Sequence, residues 1–442
     1  MQEGPYINHL FDEKVIEMYQ RHKNWLICAV HHSIFWPEKD VLLQYDGESY
    51  ILRGLKNGDE FHQASIVVPL TSVNDVNTVL KKVYKFTSML GWFKGGYVDV
   101  VGHTNGSLIR WEIGRQQYAP FMASGPYGFD CNYMPIINDE KTRKALAFWR
   151  EGLKLRYVHL GYLFLSFYKV IESQFKKGKD KGSWINSVIP ELQGEAKARV
   201  DELRTLHDGD FNKIGGYIWE SGRCAVAHAA FDEESIDPDA PEDRIRIERD
   251  LVVIQSLAEK YIKEELCVPT QAGVNCNRDA LKDIYQYVDP RHLLELQQGV
   301  SIPRRRLGVN GIKVSINRWP YEAPEKLRDF SLQVKNANNG VVDIVAVNGS
   351  KTMYLGFSFN FIEKKARINW DLNKARGDTH QLSFLKYQRD IIANGIIEIL
   401  LPNGCKIVCE PTMLDISIGR SLSDLDQQIQ LAKEYEKGTV SI

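Results

Sequence analysis

The sequence predicts a multidomain α+β protein in which an all-helical bundle is flanked by two β-containing domains. Three shifts along the chain carry that expectation. Short apolar runs and turn dipeptides mark residues 1–137, helical periodicity takes over across 138–268, and alternating strands return across 269–442 before a terminal helix.

In the first region, Trp25 to Val30 is an apolar run of strand length. Asp40 to Tyr45 and Ser49 to Arg53 flank Asp46-Gly47, a dipeptide suited to a tight hairpin turn. Gln63 to Leu70 reads as another strand. Val73 to Leu90 carries apolar residues at Val76, Val79, Leu80, Val83, Phe86 and Leu90, a helical period. Tyr97 to Val101 and Ser107 to Ile113 return to strand. His31-His32 invites a metal reading, but neighbours on a strand point to opposite faces, so packing is the expectation.

The middle region reads as helical almost throughout. Lys141 to Lys154 and Tyr157 to Phe175 are helices, the second apolar enough to be central and buried. Lys176 to Gly182, with four lysines and two glycines, reads as a flexible basic loop. Glu191 to Leu206 and Phe211 to Gly222 are further helices. Pro241 fits a first helical position, with Glu242 and Asp243 in the first turn, and Ile245 to Glu265 completes the bundle.

Beyond it, Val268 to Asn275 reads as a linker, and Arg278 to Val300 as one or two short helices. Strands are expected at Ile312 to Asn317, Phe330 to Val334, Val341 to Val347, Met353 to Phe361, Ile396 to Leu401 and Lys406 to Cys409. Pro402-Asn403-Gly404 is a hairpin signal between the last two. Leu425 to Lys437 closes as a helix.

Several function classes are disfavoured at this stage. A formal net charge of -1 gives no global attraction to nucleic acid or membrane, so any polyanion must be met by local patches. Seven cysteines at scattered spacings do not make a disulfide framework, and Cys405-x3-Cys409 lacks a second pair for zinc. No cationic start followed by an apolar run opens the chain, and no stretch reaches the ~18 apolar residues of a membrane span. The expectation is a soluble, reduced, cytoplasmic protein with no membrane partner. No glycine-rich phosphate loop, His-Glu-x-x-His helix or Gly-x-Ser-x-Gly elbow occurs.

What remains is Tyr217 to Phe231, which holds Arg223 and His228 with only Cys224, Ala225, Val226 and Ala227 between them. Arginine offers a permanently charged fork to phosphate oxygens, and histidine exchanges a proton near neutrality. Five steps along an ideal helix place the two side chains about 140° apart. They serve one site only if the helix starts or distorts here, or if a second subunit completes the site. The other reading is a close-packed helix end with both side chains solvated.

The order of elements resembles the HEPN superfamily of helical bundles with an Arg-x(4–6)-His signature. Ala145 to Lys154 and Phe164 to Glu172, followed by Arg223 to His228 and Asp237 to Asp243, resemble the branch that includes methylamine-utilisation-cluster proteins and ApeA-like phage-defence proteins. The resemblance implies a dimeric, metal-independent endoribonuclease needing no cofactor, with RNA, tRNA included, as substrate. It places the protein in phage defence or a toxin-like stress response, under a regulatory partner or phage-derived trigger. It makes His228 the general acid or base and Arg223 the phosphate holder, with Cys224 and Glu172 as supporting residues. Many relatives carry a stronger polar group than Cys224 after the arginine. Superfamily members that only bind or scaffold also exist, so a non-catalytic module for RNA, nucleotide or a partner protein is the alternative. Lys176, Lys177 and the Arg304-Arg305-Arg306 run, with Lys313, Arg318 and Trp319 nearby, are the candidate RNA contacts.

Overall fold

A computed structural model describes residues 12–37, 40–57, 60–61, 63–72, 75–107, 124–125, 131, 133–224, 226, 240–317, 327–376, 381–394, 397–410 and 418–436. The architecture is mixed α+β, with a helical middle region between two sheet-containing regions.

The first sheet has five antiparallel strands: β1 (Trp25–His32), β2 (Val41–Tyr45), β3 (Glu48–Arg53), β4 (Ser65–Pro69) and β5 (Val98–Gly106), in the order β2-β3-β4-β1-β5. Asp46 and Gly47 adopt φ of 51° and 76°, the positive-φ pair that a tight turn between paired Tyr45 and Glu48 requires. The strand expected at Ser107 to Ile113 lies almost wholly outside the described residues. Both faces of β1 are covered. Trp25 and Ile27 pack with Leu42, Ile51 and Val67 beneath α1 (Asp12–Arg21), while Leu26, Cys28 and Val30 face the larger core.

That larger core does not stop at the sheet. Helix α2 (Val76–Phe93) lays Phe86 against Tyr50, with ring centroids 4.2 Å apart, and Trp92 edge-on to Trp149 at 5.1 Å. Trp149 belongs to α3 (Glu140–Leu155), the first helix of the middle region. Buried side chains then run without a break from Leu26 to Val274. Helices α4 (Leu160–Glu172), α5 (Gly178–Val188), α6 (Gly194–Leu206), α7 (Phe211–Tyr217) and α8 (Pro241–Lys260) follow. Pro241 takes the first position of α8, with Glu242 and Asp243 in its first turn. The expected linker after Val268 contains a short helix, α9 (Gln271–Asn277), because Thr270 accepts the Gly273 amide and Val274 is buried in the first core.

The second core holds α10 (Pro290–Gln297) and strands β6 (Lys313–Asn317), β7 (Phe330–Asn338), β8 (Val341–Val347), β9 (Met353–Asn360), β10 (Lys365–Ile368), β11 (Ile397–Leu400) and β12 (Lys406–Glu410). Among the described residues these seven strands close into a barrel, ordered β8-β7-β6-β11-β12-β10-β9 and sealed by β9 pairing back onto β8. All neighbours are antiparallel except β10 and β12. Helices α11 (Gln381–Asn394) and α12 (Ile418–Glu436) pack on each other and are tied by Arg389 and Asp426.

The adjacent histidines of β1 separate as the strand geometry demands. His32 is buried, its ring stacked on Trp36 at 4.9 Å and its Nδ1–H donating to the Ile34 carbonyl at 2.8 Å. Burial pushes its pKa down from 6.5 to about 4, against the smaller upward pull of that hydrogen bond. The unfolded chain therefore binds an extra proton between those two values. The stabilisation is whole above about pH 6.5 and is lost as pH falls toward 4, amounting to about 3 kcal/mol. Chemical unfolding across pH 4–7 should show His32→Gln losing nearly one proton of the parent's pH slope; an unchanged slope contradicts the assignment.

Candidate functional site

Helix α4 organises the site. His159 caps it, its Nδ1 accepting the Tyr162 amide at 3.1 Å, so the expected helix from Tyr157 starts at Leu160 and leaves Tyr157 94% exposed. Leu163, Phe164, Phe167, Val170 and Ile171 are fully buried, which makes α4 the central helix of the region. Its last residue, Glu172, stays partly exposed.

Helix α7 does not continue as an α-helix into the Arg223 motif. From Ile218 to Cys224 it becomes a π-helix, whose hydrogen bonds join residues five apart. A distortion, one of the arrangements by which the Arg223–His228 spacing could serve one site, is thus present at the arginine end. Close packing explains why the chain is small here. A Cβ on Gly222 would meet the Phe164 ring at 2.2 Å, and one on Gly215 would meet Asn186 Oδ1 at 2.0 Å. Further on, the Val226 side chain stands 3.3 Å from where a Cβ on Gly161 would lie. Gly222 and Val226 therefore lie against α4. His228 and the side chain of Cys224 lie outside the described residues.

Arg223 and Glu172 meet, with Arg223 Nε 3.7 Å from Glu172 Oε1. A third residue, not anticipated from the sequence, joins them: Lys181 Nζ donates to the same Oε1 at 3.1 Å. The expected flexible basic loop is instead the start of α5, which corrects the reading of Lys176 to Gly182. Tertiary burial overrides the cost of two glycines, roughly 1 kcal/mol each. Lys181, Ile185 and Val188 are buried on one face, and Trp184 sits edge-on to Tyr261 at 4.8 Å. The signal was an i, i+4, i+7 stripe with Lys181 as its polar member.

Behind the motif, Asp250 of α8 is 2% exposed. Arg199 of α6 reaches its Oδ1 through Nε at 2.8 Å and Nη2 at 2.7 Å, and the Tyr217 hydroxyl donates to Oδ2 at 2.7 Å. Tyr217 is the last α-helical residue before the π segment, so this network attaches to the chain where the distortion begins.

The remaining candidates lie elsewhere. Lys176 and Lys177 are exposed ahead of α5, with Lys177 at its cap. Arg304, Arg305 and Arg306 form an exposed 3-10 turn in the barrel region, anchored between buried Ile302 and Leu307. Arg318 and Trp319 lie outside the described residues. Among the described residues no group of His, Cys, Asp and Glu is placed to hold a metal ion, and no helix is long and apolar enough to cross a membrane.

Fold and geometry together define a helical region carrying an arginine, a carboxylate and a lysine at the end of its central helix. A family model described as methylamine utilization protein MauJ matches residues 145–263, which takes in all three residues and His228. No curated protein and no solved structure matches the chain.

Proposed function

We propose that the chain is a metal-independent endoribonuclease of the HEPN type, acting in phage defence or a toxin-like stress response. The observation that carries this reading is the π-helical segment that delivers Arg223 to Glu172, five residues ahead of His228, within the stretch similar to MauJ. In this mechanism His228 moves the proton of a ribose 2′-hydroxyl, which attacks the adjacent phosphate. Arg223 neutralises the charge that builds on the phosphate oxygens. Glu172 orients the guanidinium, and Cys224 is the weak donor beside it. Lys176, Lys177 and Arg304 to Arg306 extend the phosphate contacts beyond the cleavage point.

A second copy completes the site on this reading. Tyr157, Val158 and Tyr162 around the start of α4, and Trp219 in the π segment, are exposed apolar side chains that a partner would cover. The reading in which the region only binds RNA, nucleotide or a protein is favoured by one observation, the engagement of Arg223 with Glu172.

One experiment separates the two. The purified chain is incubated in EDTA with mixed cellular RNA and with DNA of matching sequence, and its mass in that buffer is measured by sedimentation. Expected are a dimer and RNA fragments ending in a 2′,3′-cyclic phosphate and a 5′-hydroxyl, with the DNA intact. Binding without cleavage supports the module instead. Cleavage that needs magnesium and leaves 5′-phosphates overturns the mechanism, and a monomer that cleaves removes the dimer.

A further inference from the structure

We infer that Lys181 is a positioning residue for Arg223, an inference that rests on reading Arg223 as the phosphate-binding group. Two cations address one oxygen. Lys181 takes the hydrogen bond of Glu172 Oε1 at 3.1 Å, while Arg223 Nε stands 3.7 Å from the same atom. Lys181 is no ordinary surface lysine. It is 8% exposed, and its ammonium lies 4.7 Å from the centre of the Tyr168 ring, one turn before Glu172 on α4. Its stem shares the buried face of Ile185 and Val188. An ammonium in that position needs an anion close by, and Glu172 provides it.

The arrangement has a consequence for the arginine. A guanidinium that forms a full fork with a carboxylate spends on it the donors that would hold a phosphate. With Lys181 drawing the carboxylate toward α5, the Glu172–Arg223 pair orients the arginine without closing that fork. Without Lys181, the whole charge of Glu172 falls on Arg223 and competes with the phosphate.

The test uses the full chain in EDTA and a fluorescent 2′-O-methyl oligoribonucleotide of mixed sequence, which lacks the attacking hydroxyl. Lys181→Met should weaken its binding about tenfold, as when one charge-assisted contact is partly lost. Lys181→Arg should bind like the parent. The decisive variant is Lys181→Met with Glu172→Gln, which should bind more tightly than Lys181→Met because the competing charge has gone, while falling short of the parent because the pair that orients Arg223 has gone with it. A purely structural lysine predicts no such rescue. The Arg223 Nε–H resonance, identified by its loss in Arg223→Lys, should become protected from exchange in Lys181→Met and return in the double variant. Lack of rescue, or an unaltered resonance in Lys181→Met, overturns the inference; Lys181→Gln, which also removes the charge but keeps a polar end, gives the same comparison if the methionine variant folds poorly. A parent that neither binds nor cleaves RNA sinks the ribonuclease reading, while the resonance still decides the role of Lys181.

Discussion

Replacing His228 by alanine should slow RNA cleavage by about 10²–10⁴-fold, the range for losing a general acid or base. Arg223→Ala should cost about 10²–10³-fold through lost stabilisation of the developing charge. Neither should unfold the chain. Arg223 is only partly buried and stands 3.7 Å from its carboxylate partner, and such pairs contribute little to stability. The double variant should be little slower than the slower single one, because groups that act on one transition state do not add. Single-turnover cleavage of a defined RNA, with unfolding followed in parallel, gives all three rates. A His228→Ala protein that cleaves as fast as the parent rejects the assignment outright.

Asp250→Ala should be the most damaging change to the fold near the site. It leaves the Arg199 guanidinium buried without its main partner and the Tyr217 hydroxyl without its acceptor. Breaking a buried pair on one side costs about 3–5 kcal/mol, and the low end is expected here. The reason is that Arg199 also reaches Glu202 at 2.9 Å, near the surface. Urea unfolding should move accordingly. Replacing both partners, Arg199→Met with Asp250→Leu, should recover most of the loss, since it removes the stranded charge along with its partner. If Asp250→Ala costs less than about 1 kcal/mol, the network is not what anchors the π segment.

Local chemistry was legible in the sequence where the cause itself is local. Trp25 to Val30, Asp46-Gly47, Pro241 with its acidic first turn, and the Pro402-Asn403-Gly404 turn all carry their conformational reason within a few residues. Six of the barrel strands were legible one by one, but β10 (Lys365–Ile368) was not, and neither was the closure. It depends on β9 returning to β8 and on β10 lying parallel to β12, contacts that turn chemistry does not announce. At the site, Glu172 was nameable only as a support for His228 or Arg223, and Lys181 was not nameable at all, since glycines and lysines read locally as solvated loop. Only the packing of Ile185 and Val188 shows which side of that stretch faces inward. A start or distortion of the helix at the motif was one of the alternatives the spacing left open, beside a second subunit; its π form was not legible.

The unbroken core from Leu26 to Val274 also governs how the protein is made. At about 5–20 residues per second, a ribosome needs roughly 15–55 s to deliver the last side chain that core requires. Until then the leading sheet and α2 lack the helices that complete their core, and the apolar surface they leave exposed favours aggregation of nascent chains. The interval has a second effect. Glu172, Lys181 and Arg223 all emerge before the core can close, so a stalled or truncated chain carries these three residues without the packing that brings them together. Assembly of the Arg223–Glu172–Lys181 cluster is thereby deferred to chains that have been synthesised well past the motif itself.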